Sequence, residues 1–324
     1  MTVVTGAAGH VGGNLVRALL EQGRQVRAVV RNDRRAIEGL DVEVVQADVL
    51  DLDSLVQAFR GADTVFHLAA QISIVGDMGG KVTRVNTVGP RNVVEACQRC
   101  GVRRLVHFSS IHAYVQEPTD KVLDETRALS GPKAPAYDRS KASGQQIVLQ
   151  AAREKRLDAV VVNPTAVIGP HDYKPSRMGA VILSLARRRF PALVAGGFDW
   201  VDVRDVVAGA IAAEQKGRSG ENYLLSGHYR TVADLGSLVE KVTGMPAPRV
   251  VVPLWLAGFG ALFALAFSRI TGGVPLFTPE AIRALNGARF VSHEKASQEL
   301  GYSPRPLDVT VSDTVQWFKS VGML

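Results

Sequence analysis

Cysteine is scarce in this sequence, and its scarcity excludes one class of protein. The 324 residues contain only two cysteines, Cys97 and Cys100. That number excludes a small secreted protein held together by several disulfides. The Cys-x-x-Cys spacing is compatible with redox chemistry, but both residues fall close to the end of a predicted helix. We therefore favour a structural role for the pair.

Long basic tracts, internal repeats and low-complexity segments are also lacking. The net charge is +7 and the sequence pI is about 9.6. The basic residues are scattered, and none of their short clusters is interleaved with aromatic residues. This distribution argues against a nucleic-acid partner. Phosphates of a bound cofactor or an anionic surface account for the positive charge more simply.

The N-terminus lacks the signature of a secretory signal. The chain enters a predicted strand at Thr2, with no basic region followed by a long apolar stretch. We expect a cytoplasmic protein on this ground.

One apolar segment allows two interpretations. No charged residue occurs from Val250 to Ser268, but Pro253 interrupts this stretch early. The helix predicted over the remaining residues 254–267 is too short to cross a bilayer. It is either a buried or half-buried helix of a second lobe, or an apolar lid or peripheral membrane contact.

Short apolar runs alternate with helical patterns through the first half of the chain. This alternation predicts an α/β protein with a doubly wound parallel sheet of the Rossmann type, covered by helices on both faces. The predicted strands are Thr2–Thr5, Gln25–Val30, Glu43–Gln46, Thr64–Leu68, Leu105–Ser109 and Ala159–Asn163. The predicted helices are Val11–Gln22, Leu52–Phe59, Val85–Gln98 and Ser140–Lys155.

A change of pattern after Pro164 predicts a second lobe. Glycine and proline become denser and the strands shorter. We expect residues 1–165 to form a dinucleotide-binding domain, and residues 166–324 to form mainly a smaller, mixed α/β substrate lobe. Residues 200–217 are expected to return to the first domain as a strand and a helix.

A glycine-rich loop follows the first predicted strand. Glycines occur at positions 6, 9 and 12, and His10 and Val11 begin the next helix. Such glycines allow a tight turn, close approach of the backbone to a pyrophosphate, and close packing of helix on strand. The free N–H groups of the helix N-terminus then face the phosphates. The position between a strand and a helix predicts dinucleotide binding.

Arg31 bears on the choice of cofactor. It follows the second predicted strand, where an acidic residue would bind the ribose diol of NAD. An arginine there favours the 2′-phosphate of NADP, and Arg34 and Arg35 are placed to assist. We therefore expect NADP as the preferred cofactor, with NAD as the alternative.

The residues after the third and fourth strands complete the expected cofactor site. Asp48 is placed either to accept a hydrogen bond from the adenine amino group or to cap the helix that follows. The small residues Ala69 and Ala70 allow the backbone to pass close to the ribose and diphosphate. The predicted cofactor-binding residues are Gly6, Gly9, His10, Val11, Gly12, Arg31, Asp48, Val49, Leu68, Ala69, Ala70, Ser109, Tyr137, Lys141, Pro164 and Val167.

Tyr137 and Lys141 are four residues apart, which on a helix places them on one face. A phenol has an ordinary pKa near 10, and a nearby ammonium together with an oxidised nicotinamide favours the phenolate. This pair predicts an acid/base tyrosine, with the lysine holding the nicotinamide ribose.

Ser110 is expected at the carboxyl end of the fifth strand, where ligands bind in open α/β sheets. Its hydroxyl would orient a substrate oxygen toward Tyr137, and Ser109 is the competing candidate. His112 is either a second polar group near the substrate or a loop residue. No Gly-x-Ser-x-Gly motif surrounds either serine, which argues against a hydrolase.

These motifs together resemble the extended short-chain dehydrogenases/reductases, over nearly the whole chain. Within that family the sequence is most similar to the dihydroflavonol-4-reductase branch, although a flavonoid substrate does not follow from the likeness. The resemblance implies a catalytic triad of Ser110, Tyr137 and Lys141. It also implies that Pro164 and Val167 lie near the nicotinamide, and that a homodimer is the common assembly. The matching segments are Thr5–Gly12, Asp48, His67–Ala70, Asn86, Ser110, Tyr137 with Lys141, Asn163–Pro170 and Trp200–Val206.

The leading functional hypothesis is NADPH-dependent reduction of a ketone or aldehyde on a hydrophobic small molecule, with no metal. One alternative is a nucleotide-sugar epimerase or dehydratase that retains NAD. Another is a non-catalytic cofactor-binding protein.

Overall fold

A seven-stranded parallel sheet is the centre of the computed structural model, which describes residues 1–259 and 278–324. Its strands are arranged in the order β10-β6-β5-β4-β1-β2-β3, and every neighbouring pair is parallel. The twelve strands of the described residues are β1 Thr2–Thr5, β2 Val26–Val30, β3 Glu43–Gln46, β4 Thr64–His67, β5 Arg104–Phe108, β6 Ala159–Pro164, β7 Ala166–Ile168, β8 Leu193–Val194, β9 Gly197–Asp202, β10 Asn222–Leu225, β11 His228–Thr231 and β12 Val251–Val252.

Helices cover both faces of this sheet, and two short 3₁₀ turns, Arg35–Ile37 and Ile111–Ala113, follow β2 and β5. The named α-helices of the described residues are α1 His10–Glu21, α2 Leu52–Phe59, α3 Lys81–Arg99, α4 Ala136–Arg153, α5 Arg177–Ala186, α6 Val203–Lys216, α7 Val232–Thr243, α8 Pro279–Leu285, α9 Glu294–Leu300 and α10 Leu307–Ser320.

Alternating apolar residues of the central strands supply two separate cores. In β1, Val4 packs with the helices α1 and α6 on one face, whereas Val3 packs with α2, α3 and α4 on the other. Strands buried on both faces and joined by helices are what the sequence pattern requires. The predicted Rossmann-type fold is therefore confirmed, and the strand order reverses between β1 and β4, where ligands bind in such sheets.

A smaller mixed lobe follows β6. Its three-stranded sheet has the order β11-β9-β7, and β8 pairs with β12 beside it. A third core fills this lobe, built around Ile168, Trp200, Leu235 and Phe318. Within the range 200–217, helix α6 packs on the large sheet, whereas β9 belongs to the small sheet. The large sheet instead gains β10, a strand that the sequence analysis did not predict. The boundary at residue 165 stays a prediction.

Helices α3 and α4 begin about one turn earlier than predicted. Their N-cap residues are Gly80 and Pro135, and neither has a side chain that caps the helix. The Ser, Thr, Asp or Asn that usually marks a helix start is therefore missing at both places. The earlier start of α4 places both Tyr137 and Lys141 within the helix.

The two cysteines have a structural environment. Cys97 is buried, and the thiol of Cys100 donates to the carbonyl oxygen of Val56 at 3.3 Å. Burial raises the pKa of both thiols, so neither is a ready thiolate. This agrees with the structural role that the sequence favours.

The uncharged segment is described only up to residue 259. Residues 254–259 are helical, and within them Trp255, Leu256 and Phe259 are exposed, contrary to a fully buried helix. The rest of the predicted helix, 260–267, lies outside the described residues. Among the described helices, none combines the length and hydrophobicity that crossing a membrane requires.

Candidate active site

The glycine loop forms a cradle that no side chain can enter. At Gly6, whose φ is +72°, a Cβ would lie 2.7 Å from the amide nitrogen of Ala69. At Gly12 a Cβ would lie 2.2 Å from the carbonyl oxygen of Gly6. Helix α1 then begins at His10, and its N-cap Gly9 offers no side chain to its first N–H groups. This arrangement fits a pyrophosphate bound at the helix N-terminus.

The first turn of α1 is tied to the segment that follows β7. The ring Nε2 of His10 lies 3.0 Å from the carbonyl oxygen of Pro170, and the Asn14 amide donates to the same oxygen at 3.1 Å. The side chain of His10 is therefore engaged, and any contact with a cofactor falls to its backbone. Asn14 was missed by sequence reasoning, because a polar residue inside a helix gives no signal of a distant partner.

Arg31 and Arg34 are both exposed, and neither side chain forms a hydrogen bond or an ion pair with residues 1–259 and 278–324. Arg35 differs, because its guanidinium forms an ion pair with Asp33 at 2.6 Å. This contact lowers the pKa of Asp33 to about 2. The cluster therefore offers two unpaired guanidinium groups to an anion, and Arg35 is not one of them.

Arg17 of helix α1 holds the loop that carries these arginines. Its guanidinium donates to the carbonyl oxygens of Gly13 and Ala36, at 3.0 and 2.6 Å. It also lies over the ring of Tyr173, 5.3 Å from the ring centroid. A Cβ on Gly13 would lie 2.9 Å from the Cβ of Ala36, so the loop packs directly on the helix.

Asp48 does not cap helix α2. The cap is Asp51, which accepts hydrogen bonds from the backbone N–H groups of Asp53 and Ser54. One carboxylate oxygen of Asp48 accepts from the N–H of Leu50 at 2.9 Å, and the other accepts from no described residue. The helix-cap interpretation of Asp48 is therefore wrong, and its free oxygen suits the adenine contact. Its neighbour Val49 is buried.

Asn86 joins the loop after β4 to helix α4. Its side chain accepts from the N–H of Gln71 at 2.8 Å and donates to the carbonyl oxygen of Gln71 and to the hydroxyl of Ser140, both at 3.0 Å. These contacts fix the chain just after Leu68, Ala69 and Ala70, at the carboxyl end of β4.

Ser110, Tyr137 and Lys141 converge at the carboxyl end of β5. The hydroxyl of Ser110 lies beside the phenol of Tyr137, where it opposes the rise in the pKa of that phenol, and the ammonium of Lys141 donates to the carbonyl oxygen of Phe108 at 2.7 Å. Ser109 is also buried, but its hydroxyl has no partner in the described structure. The geometry therefore favours Ser110 over Ser109 as the partner of Tyr137.

Burial dominates the titration of this group. It raises the pKa of Tyr137 to about 12, against the opposing hydrogen bond from Ser110. It lowers the pKa of Lys141 to about 7. A nearby ammonium together with an oxidised nicotinamide is expected to favour the phenolate, but in the protein by itself burial dominates and the phenol keeps its proton. Tyr137 is thus poised as an acid.

His112 lies beside Tyr137 rather than in a remote loop. The two ring centroids are 5.7 Å apart in an edge-on arrangement, and Nδ1 of His112 is 3.2 Å from the carboxylate of Asp138. Of the two interpretations given above, the structure favours a polar group near the substrate.

A buried amide network supports Ser110 from behind. The Asn163 side chain donates to the carbonyl oxygen of Ser110 at 3.0 Å and to Oε1 of Gln145 at 2.7 Å. Pro164 follows directly, and the hydroxyl of Thr165 donates to Asp199 at 2.7 Å. These contacts fix the segment that leads to Val167, which is partly buried in β7. Sequence reasoning did not identify Gln145, because a glutamine inside a helix has many possible partners.

Three central strands also carry a row of buried polar residues beneath Lys141. Thr5, His67 and His107 are paired across β1, β4 and β5. Thr5 and His67 share a hydrogen bond of 2.7 Å, and the two histidine rings are 5.2 Å apart. Burial and the neighbouring ammonium of Lys141 lower the pKa of both histidines, that of His67 to about 3. The floor of the site is therefore polar but uncharged.

Comparison with known proteins agrees with this geometry. The model of the NAD dependent epimerase/dehydratase family matches residues 2–226. The chain belongs to this family.

The similarity of this epimerase/dehydratase family member to individual proteins extends over its whole length. It is 38% identical over 328 residues to sterol demethylase protein B of Methylococcus capsulatus, covering 100% of the chain and 99% of that protein. It is 35% identical to a putative dihydroflavonol 4-reductase of Synechocystis, covering 98% and 94%. The crystal structure of gox2253 matches with a TM-score of 0.87 at 34% identity, covering 100% of this chain and 99% of that chain.

Family membership confirms the resemblance to the extended short-chain dehydrogenases/reductases. The protein is an NAD(P)-dependent enzyme of the dehydrogenase/reductase type, and its glycine cradle fits the cofactor that the family binds.

Proposed function

We propose that this enzyme uses NADPH to reduce a ketone or aldehyde group on a hydrophobic small molecule. The observation that carries the proposal is the convergence of Ser110, Tyr137 and Lys141 at the carboxyl end of β5, next to the end of β4 that contacts the glycine cradle. A reduction needs an acid at that point, because the carbonyl oxygen must receive a proton.

Each residue of the trio has one role in this reaction. The reduced nicotinamide supplies a hydride to the carbonyl carbon when it is bound. Ser110 donates a hydrogen bond to the carbonyl oxygen and holds it near Tyr137. Tyr137 gives its phenolic proton to that oxygen. The charged form of Lys141 stabilises the phenolate that remains, and its ammonium group is suited to hold the ribose hydroxyls.

The preference for NADPH over NADH is supported by the two arginines without partners. Arg31 and Arg34 are exposed at the end of β2, on the loop held by Arg17. A 2′-phosphate offers oxygens that a guanidinium binds in two-point contacts. No acidic residue occupies position 31, where a ribose diol would require one.

The hydrophobic character of the substrate is supported by the loop after β4. Ile72, Val75 and Met78 are exposed on this loop, which continues directly from Ala70. The loop is anchored to helix α4, because the carboxylate of Asp77 lies 3.6 Å from the guanidinium of Arg139. An anchored loop that carries exposed apolar side chains beside the carboxyl end of β4 suits an apolar ligand.

The test is a Tyr137→Phe variant in a screen of aliphatic and aromatic ketones and aldehydes, followed by NADPH absorbance. We expect the variant to lose about 100-fold or more of kcat, the usual contribution of a positioned acid. NADPH affinity should be retained. Unchanged turnover would show that Tyr137 is not the acid.

The family also supports a second candidate, a nucleotide-sugar epimerase or dehydratase, since the matching family model describes such enzymes. In that reaction the cofactor is reduced and reoxidised within one cycle, so no net NADPH is consumed. NAD retained in the purified protein, with no oxidation of NADPH by any carbonyl compound, would favour this candidate over the reductase.

A further inference from the structure

The surface formed by Val250, Val251, Trp255, Leu256 and Phe259, here called the apolar patch, contains none of the residues assigned to the candidate active site. All five side chains are exposed, Trp255 by 67% and Phe259 by 60%. The two aromatic rings are one helical turn apart and contact each other edge-on, with 6.5 Å between centroids. A monomer rarely displays two adjacent large aromatic side chains to water without a partner for them.

The backbone under the patch is fixed. Strand β12 pairs with β8, and the N–H groups of Leu193 and Ala195 donate to the carbonyl oxygens of Val250 and Val252, both at 2.9 Å. The patch is therefore exposed on a segment whose backbone is hydrogen-bonded to the second lobe.

The sequence around the patch contains more basic than acidic residues. From Lys241 to Pro279 the sequence contains three basic residues, Lys241, Arg249 and Arg269, and no aspartate or glutamate. With 31 acidic residues in 324, a segment of this length would ordinarily carry about four. Arg249 directly precedes the uncharged segment 250–268; its side chain is 74% exposed, and it also pairs with Glu240 of α7 at 2.8 Å. This pattern is complementary to an anionic surface.

We propose that the apolar patch docks this protein on the surface of an anionic phospholipid bilayer. Tryptophan, phenylalanine and leucine enter the boundary between headgroups and acyl chains, while flanking basic residues meet the headgroups. The contact is peripheral, since none of the described helices is long and apolar enough to span a membrane.

The test uses the full chain and flotation with vesicles of phosphatidylcholine, either alone or mixed with phosphatidylglycerol. We expect the protein to float with the mixed vesicles and much less with phosphatidylcholine alone. The double variant Trp255→Ser/Phe259→Ser should bind the mixed vesicles at least tenfold more weakly. The matched control is Val122→Ser/Phe290→Ser, which removes two side chains that are also exposed but lie elsewhere. This control should bind like the unchanged protein.

Tryptophan fluorescence gives an independent readout. Of the three tryptophans, Trp200 is buried, Trp317 is half-buried and Trp255 is exposed, so contact with lipid should shift the emission of Trp255 to shorter wavelength. Brominated lipids should quench that emission, and a Trp255→Phe variant should bind but lose both signals. Thermal unfolding and NADPH binding show that each variant is folded, and neither should change.

Two results would overturn the proposal. One is equal flotation of the patch variant and its control, or no flotation at all. The other is a dimer in light scattering that the patch variant alone disrupts, without binding to vesicles. The second result would make the patch an interface between two copies of the chain. Neither result would affect the proposed reduction, which is measured with soluble carbonyl compounds.

Discussion

A single arginine is expected to set the cofactor preference. Replacing Arg31 with aspartate removes an unpaired cation and places a carboxylate near the 2′-phosphate. A charge-assisted hydrogen bond is worth about 1.5–3 kcal/mol, or roughly 10- to 100-fold in affinity. We expect Arg31→Asp to weaken NADPH binding by at least that factor and NADH binding far less, measured by fluorescence titration.

The neighbouring arginines provide the control for this experiment. Arg35 is paired with Asp33, so Arg35→Ala should affect NADPH binding much less than Arg31→Asp. Equal losses for NADPH and NADH in Arg31→Asp would remove the proposed contact with the 2′-phosphate.

The titration of Lys141 predicts how the reaction depends on pH. Because burial lowers its pKa to about 7, the ammonium is present below that pH and is lost as the pH rises through it. The phenolate of Tyr137 then loses its stabilising charge. We expect kcat/KM for NADPH-dependent reduction to fall above about pH 7, by up to tenfold per pH unit.

Replacing Lys141 with methionine tests the assignment. The residual activity of Lys141→Met should be low and should no longer show that decline. If the decline persists unchanged in the variant, another group is responsible for it.

The predictability of the site differed from residue to residue. Tyr137, Lys141 and Ser110 are close to each other as the sequence predicted, because helical spacing and strand ends are local properties. The Asn163 amide and the His107 ring gave no local signal of their contacts. Their partners lie on other strands and helices, which only the folded sheet brings near.

At the scale of elements, the sequence predicted the first six strands of the large sheet to within one residue at either end. It failed at β10, Asn222–Leu225, because this strand follows the change of pattern after Pro164 and joins the large sheet only in the fold. It also began α3 and α4 too late, because Gly80 and Pro135 do not resemble the usual N-caps. Strands of the alternating first half could be predicted, whereas a strand outside it and the starts of uncapped helices could not.

The close contact between Gly12 of helix α1 and Gly6 of the glycine loop predicts how much stability one added methyl group removes. A Cβ at position 12 would lie 2.2 Å from the carbonyl oxygen of Gly6, so the helix or the loop must shift. Overpacking of this kind costs about 1–3 kcal/mol. We expect Gly12→Ala to lower the unfolding temperature and to abolish its increase by NADPH.

Gly131 offers a matched control for that experiment. A Cβ there would meet nothing within 4 Å, and its φ is not positive. Gly131→Ala should unfold like the unchanged protein and should still be stabilised by NADPH. Comparable losses in both variants would contradict the role of the cradle.

At the scale of the whole molecule, the buried histidines predict sensitivity to acid. His67 has a pKa of about 3 in the folded protein and an ordinary value of 6.5 when unfolded. As the pH falls from about 6.5 toward 3, the unfolded chain takes up a proton that the folded protein refuses. Each such histidine lowers the free energy of unfolding by about 1.4 kcal/mol per pH unit over this range.

Urea unfolding at several pH values would measure this effect. A His67→Gln/His107→Phe variant should lose stability more slowly on acidification than the unchanged protein, even if it is less stable at pH 8. His112→Gln, at a partly exposed histidine, should leave the steep dependence in place. A dependence that is identical in all three proteins would locate the acid sensitivity elsewhere.

The contacts of Arg17 with Gly13 and Ala36 support the residues proposed to select the coenzyme, and they lie apart from the residues proposed to carry out the reaction. Arg17 fastens the segment that bears Arg31 and Arg34 to helix α1, whereas the reacting trio belongs to β5 and α4. In the proposed mode of binding both parts contact the cofactor, and none of the contacts described above joins one part to the other. Under that proposal, replacing residues 31–36 would change the preferred coenzyme and leave the reacting trio in place.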